Sequence, residues 1–145
     1  MLTERLSRYL RYVYVFVAGA MVISVLAVAV SSYAATFYQV KGSSMMPTLH
    51  TVQLLLVDLL AYKKTGPQDG EMVIVRYAGG QNVRFVKRVV AGPGERVTYQ
   101  GAELVLGPQS YFVEGDNREF STDSRSYGPV SLSQILGRAV VIGTR

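Results

Sequence analysis

The sequence predicts a mainly β domain, a small β-sandwich or partly open barrel, behind one N-terminal transmembrane helix. Three observations carry this expectation. No residue from Tyr12 to Ala35 is charged, although 17% of the chain is. The segment after it breaks into short β-branched runs separated by Gly, Pro, Asn and Asp. No stretch of ten or more residues in that segment keeps a 3.6-residue period.

The uncharged run has 24 positions. As a helix it would reach about 36 Å at ~1.5 Å per residue. A bilayer core is ~30 Å thick, so the run can span it with some tilt. A core helix buried in protein is the other reading, but this run is long and apolar on every side. Arg5, Arg8 and Arg11 precede it against Glu4, and Lys41 is the only charge between it and Asp58. The excess of arginine ahead of the run places residues 1–11 in the cytoplasm, 12–35 in the membrane and 36–145 on the extracytoplasmic face. The expectation is a single-pass protein of the cell membrane with its C-terminus, Arg145, outside. A cleaved leader, with Ser32 and Ala34 as small residues before a cut, is the rival reading. The run exceeds the usual leader length, which favours an anchor that stays.

The outer domain reads as strands in order. Phe37 to Lys41 alternates. Val52 to Asp58 is a short apolar run, and "EMVIVRY", Glu71 to Tyr77, is β-branched. "VRFVKRVV", Val83 to Val90, is the longest candidate. Gly92, Pro93 and Gly94 then turn the chain. Val97 to Tyr99 and Glu103 to Leu106 flank "QGA" as a hairpin. Tyr111 to Glu114 and Arg138 to Ile142 follow. Only "SLSQIL", Ser131 to Leu136, reads as a helical turn or short helix.

Composition excludes several functions. With no cysteine in the chain, disulfide staples and thiol catalysis are out. Beyond Ala35 twelve basic residues face nine acidic ones, a scattered +3 that does not predict nucleic-acid binding. The reading calls for no metal and no cofactor.

Candidate chemistry starts at "KGSSMMPTLH", Lys41 to His50. Ser43 and Ser44 sit among small and apolar residues. A serine hydroxyl is a poor nucleophile until a base takes its proton. His50, the only histidine, lies six residues beyond Ser44 with no nearby carboxylate to orient it. Lys87 is the other candidate. In a strand Phe85 and Lys87 share one face and Val86 and Arg88 the other. Valines on both sides penalise the ammonium and lower its pKa. A lysine working as a base near neutrality needs a drop of about 3 units, some 4 kcal/mol. A third segment, "GDNREFSTDSRSYGPV" from Gly115 to Val130, is dense in Asp, Asn, Arg and Ser. It reads as a loop held by its own ion pairs and hydrogen bonds.

"SMMPTL", "VKRVVAGPGE" and "GDNREFSTDSRSYGPV" resemble three signature boxes of type I signal peptidases, in the right order. "DGEMVIVRY" resembles a fourth, and the anchor ahead of the serine matches the family's layout. The resemblance implies Ser44, the serine directly before "M-x-P-T", as nucleophile, with its backbone N–H as an oxyanion donor. It implies Lys87 as general base and Ser121 as the hydroxyl that holds the lysine. Arg88, Asp116, Asn117, Arg118, Asp123 and Arg125 are expected to brace one another and the dyad. One branch of the family carries a serine where this chain has Gly42, which leaves a second oxyanion donor unassigned. The bare hairpin between Val97 and Tyr111 stands where larger members insert a subdomain, and a lysine rather than a histidine base fits the bacterial-type branch.

The activity implied is removal of signal peptides from translocated preproteins, through an acyl-enzyme, after small residues of the Ala-x-Ala type. Tyr38, Val40, Met45, Ile74, Phe85 and Val86 are the expected walls of the substrate pockets. The implied partners are preproteins bearing signal peptides, the lipid bilayer and the protein-translocation machinery. Two other readings are open. A Ser/Lys autoprotease of the SOS-repressor type shares the dyad on a related β fold, but is cytoplasmic and joined to a DNA-binding domain. A membrane-anchored binding module would need no working dyad.

Overall fold

The computed structural model describes residues 2–77 and 83–142. Arg145 lies outside the described residues. The chain divides into two compact units, Met1–Ala34 and Ala35–Arg145.

The first unit is one helix, α1, Leu2–Ala34. Within it Arg5–Val30 is long and apolar enough to cross a membrane, and none of that stretch is buried in protein. Valine, isoleucine and leucine cover its whole circumference, the pattern expected when the solvent is lipid.

The second unit is mainly β. Its strands are β1 (Ala35–Gln39), β2 (Leu54–Asp58), β3 (Met72–Arg76), β4 (Arg84–Ala91), β5 (Arg96–Tyr99), β6 (Ala102–Val105), β7 (Ser110–Glu114), β8 (Val130–Ser131) and β9 (Ile135–Val141). Seven of them form one curled half-barrel sheet in the order β1-β2-β9-β3-β4-β7-β8, and β5 and β6 form a separate hairpin. Gln100 and Gly101 both take positive φ between Tyr99 and Ala102, as a two-residue turn of the twisted hairpin type requires.

The sheet has a core on each face, and the alternation of β3 and β4 assigns each side chain to one. Ile74 lies opposite Val86. Both belong to a cluster with Val40, Met45, Leu49, Leu55, Val57 and Ala139. Val73 and Val75 lie opposite Lys87 and Phe85. Those two valines belong to the other cluster, with Val89, Tyr111, Val113, Val130 and Ile135. Lys87 therefore stands in a row of buried valines.

β4 is only half covered along its second edge. Its pairing with β7 begins at Arg88 opposite Glu114, so Arg84 to Lys87 pair with β3 alone.

One expected element is corrected. The helical turn is confined to Leu132–Gln134, while Ser131 is in β8 and Ile135 and Leu136 are in β9. Ser131 and Gln134 cap the turn reciprocally. Ile135 is buried opposite Val75, and that burial draws the chain into the sheet. A four-residue helix, α2 (Ser124–Tyr127), and a single 3-10 turn at Arg118–Phe120 lie inside the polar segment that reads as a loop from sequence.

Candidate active site

The serine segment is pinned at both ends. Val40 N–H donates to the Gln53 carbonyl and the Val40 carbonyl accepts from Val52 N–H, both at 2.9 Å. The chain then turns at Gly42, whose φ is +82°. That left-handed backbone suits glycine and would strain a serine at the same place. Met45 and Leu49, one helical turn apart, are both fully buried and joined by the Leu49 N–H to Met45 carbonyl bond of 2.9 Å. The two apolar anchors leave Ser44, just before them, half-buried at the rim.

Lys87 reaches the site from β4 and is only 1% exposed. Burial pushes its amine below the usual lysine range; the Asp123 carboxylate opposes that shift and the Arg125 guanidinium adds to it. Its Nζ donates to Ser121 Oγ at 2.8 Å. Ser121 Oγ accepts in this bond, so a neutral Lys87 keeps its own lone pair for another proton.

Asp123 is wholly buried and heavily bonded. It accepts from Gly115 N–H at 2.9 Å and from Arg125 Nε and Nη2 at 2.8 Å each. Burial raises its pKa, but Arg125, Gly115 N–H and the Ser121 hydroxyl outweigh burial and hold the carboxyl at about 2. It stays ionised wherever a protein works. It also caps α2 through Arg125 N–H.

Ser44 is tied to the same loop by its backbone. Asn117 N–H donates to the Ser44 carbonyl at 3.0 Å, and Asn117 Nδ2 donates to the Ser43 carbonyl at 3.1 Å. Gly115 makes the closest approach. A Cβ there would collide with Ser121 Oγ and with the Ser44 carbonyl. Ser44 and Lys87 line a single cavity of about 470 Å³, and exposed His50 is not part of its lining.

The remaining polar residues hold the frame. Arg88 makes two 2.7 Å bonds to Asp116 and a third to the Gly70 carbonyl. Asp116 also accepts from the Thr48 side chain, which ties the frame back to the serine segment. Arg118 pairs with Glu114, a residue outside the expected set, and its carbonyl accepts from Arg125. Of the expected pocket walls, Val40, Met45, Ile74 and Val86 pack in one cluster with Tyr38 against it. Phe85 points to the other face, with Lys87.

The sequence profile of the family described as signal peptidase, peptidase S26, matches residues 11–107 and 105–143. The chain belongs to this signal peptidase family. Signal peptidase IB of Staphylococcus aureus is 29% identical over a 150-position alignment covering 75% of this chain and 78% of the relative. Mitochondrial inner membrane protease subunit 1 of Xenopus tropicalis is 34% identical over 103 positions, 67% of this chain and 62% of the relative. Family membership makes the chain a hydrolase of the serine peptidase class.

Sequence reasoning missed how Asn117 and Gly115 join Ser44 to the polar segment. It also missed Tyr77, Phe120, Thr122 and Tyr127, which share the cavity lining. All four lie inside the quoted boxes, Tyr77 in "DGEMVIVRY" and the others in "GDNREFSTDSRSYGPV", but nothing in those boxes marks them as cavity lining. They meet because β3, β4 and the Ser121–Tyr127 stretch converge there, and only the register shows it.

Proposed function

We propose that Ser44 and Lys87 act as the nucleophile and general base of this signal peptidase, and that it cuts translocated preproteins after small residues of the Ala-x-Ala type. The observation that supports this most is the buried Lys87 amine, held by its 2.8 Å bond to Ser121 Oγ in the cavity that Ser44 also lines.

Neutral Lys87 takes the proton from Ser44 Oγ as the oxygen attacks the scissile carbonyl. The Ser44 backbone N–H receives the developing oxyanion, worth about 2.7 to 4 kcal/mol for one such donor. The tetrahedral intermediate collapses, the C–N bond breaks, and the lysine ammonium gives its proton to the leaving amine. Lys87, neutral again, then activates water, and hydrolysis frees Ser44.

The substrate reaches the site as an added strand. In β4, Val83 accepts from Tyr77 N–H and Val89 donates to Glu71, both on the β3 side. Alternation turns the backbone groups of Arg84 and Val86 to the half-covered edge. Across the gap Val40 bonds toward Gln53 and Val52, so Gln39 and Lys41 turn theirs toward β4. Tyr38 spans the gap, its hydroxyl donating to the Arg84 carbonyl at 2.6 Å. An extended peptide fits between these two edges by main-chain pairing. The helix holds the enzyme in the cell membrane with its catalytic unit outside, where precursors leave the translocation machinery.

The detergent-solubilised protein should cleave an Ala-x-Ala precursor in trans, with Ser44→Ala inactive. Cleavage confined to its own chain would favour the autoprotease, and none at all a binding module. Protease added to spheroplasts should digest the catalytic unit; full protection would reverse the orientation.

A further inference from the structure

The two faces of the substrate groove differ in free volume. On the Val86 face Val40, Met45, Leu49, Ile74 and Val86 are at most 4% exposed and packed together. Only a shallow side chain can be seated against that wall. On the Phe85 face lies the cavity of about 470 Å³ that Ser44 and Lys87 share with Lys41, Phe85, Tyr77 and Tyr127. A second cavity of about 400 Å³ continues beyond the same three rings, over Val75, Pro129 and Val130. The rings stack edge to face, Tyr77 on Phe85 at 6.4 Å and Tyr77 on Tyr127 at 5.5 Å. Phe85 is 37% exposed, Tyr77 is 39% exposed, and both are open to a ligand.

An extended peptide sends successive side chains to opposite faces. If the residues at −1 and −3 from the cut lie on the packed Val86 face, the residue at −2 lies on the Phe85 face. We propose that this enzyme also reads position −2, and that the Phe85–Tyr77–Tyr127 surface is a subsite for a large apolar or aromatic side chain there. The proposal rests on the peptidase reading and on the β4 edge as substrate site. It adds a third specificity position on the wall opposite the small-residue pockets. An aromatic ring at −2 gains an edge-to-face partner in Phe85 and displaces water from an apolar floor. A lysine or arginine at −2 is disfavoured, because Lys41 lines the same cavity.

The test uses the full-length protein in detergent and peptides identical except at −2, carrying Phe, Leu, Ala or Lys between two alanines. Wild type should cut the Phe peptide with kcat/KM about tenfold above the Ala peptide, the scale of one apolar side chain in a partly open pocket. Phe85→Ala should erase that ratio, and Phe85→Leu should keep the preference for Leu. Binding of the same peptides to Ser44→Ala, read by fluorescence anisotropy, should show the same ranking. Equal kcat/KM and equal binding for all four peptides, or a Phe-to-Ala ratio unchanged in Phe85→Ala, would overturn the subsite. Ranked binding without cleavage by wild type would keep the subsite and overturn the peptidase reading instead.

Discussion

Lys87 donates a 2.8 Å hydrogen bond to Ser121, 34 positions away in sequence. Because the amine is the donor in this bond, the bond orients it without consuming its lone pair. Ser121→Ala should therefore lower kcat by about 10²-fold, the range for losing a positioned acid–base step, with little change in KM. A variant with raised KM and intact kcat would assign Ser121 to substrate binding.

The dyad has a pH signature. Burial holds the Lys87 amine below its ordinary 10.5, and the proposed mechanism needs it neutral. Activity should rise with pH through a midpoint below 10.5. Lys87→Arg should be inactive, since a guanidinium does not deprotonate in this range. Ser43→Ala should keep most activity and Ser44→Ala none. A rate that peaks in acid would move the base elsewhere, first to His50.

The strands and the polar segment were largely legible because each depends on local pattern. β-branched runs such as "MVIVR" specify strands wherever they are packed, and "QG" supplies the positive φ of its hairpin. Motif order singled out Ser44, Lys87 and Ser121, and the fold brings Lys87 into one cavity with Ser44 and into a hydrogen bond with Ser121. The rest depends on long-range register. Nothing local says that β7 covers β4 only from Arg88 onward, yet that offset leaves the edge open for a peptide. Alternation alone puts Phe85 and Val86 on opposite faces, but nothing local says that those faces differ in free volume. Ser131 to Leu136 misled for the same reason: the burial of Ile135 opposite Val75 is tertiary.

Lys87 should also weaken the fold it serves. Its lowered pKa means that the native state binds fewer protons than the unfolded chain between that lowered value and 10.5. Stability rises with pH across this window, and the full penalty stands below it. Lys87→Met removes the charge and keeps the volume. The variant should be inactive yet melt several degrees higher at pH 7, a gain that fades as pH approaches 10.5. A lower melting temperature at pH 7 would show that the amine stabilises the native state.

Asp123 works in the opposite sense. Its carboxyl sits at about 2 in the folded protein against an ordinary 3.8. The stability it contributes is present above 3.8 and lost as pH falls from there toward 2, a term of about 2 kcal/mol. Asp123→Asn should remove this part of the acid transition and leave Arg125 without its buried partner. An unchanged acid limb of the stability curve would place the acid-sensitive group elsewhere.

Gly115 joins both halves of the site. It is buried, its N–H donates to Asp123, and the space where a Cβ would stand is taken by Ser121 Oγ and the Ser44 carbonyl. Neither neighbour can yield freely. The Ser44 carbonyl is held by Asn117 N–H, and Ser121 Oγ is held by Lys87. Gly115→Ala must push one or both aside, at about 1–3 kcal/mol for an overpacked methyl. The sheet, built on clusters away from this contact, should survive with an unchanged far-UV spectrum. The geometry of the dyad should not. With Ser121 displaced, Lys87 loses its hydrogen-bond partner, and with the Ser44 carbonyl displaced, the nucleophile leaves its rim. The expected result is a fall in kcat of more than about 10²-fold in a folded protein. A Gly115→Ala variant that folds and retains wild-type kcat would show that Ser44 and Ser121 tolerate separation, and the positioning argument for both would fall.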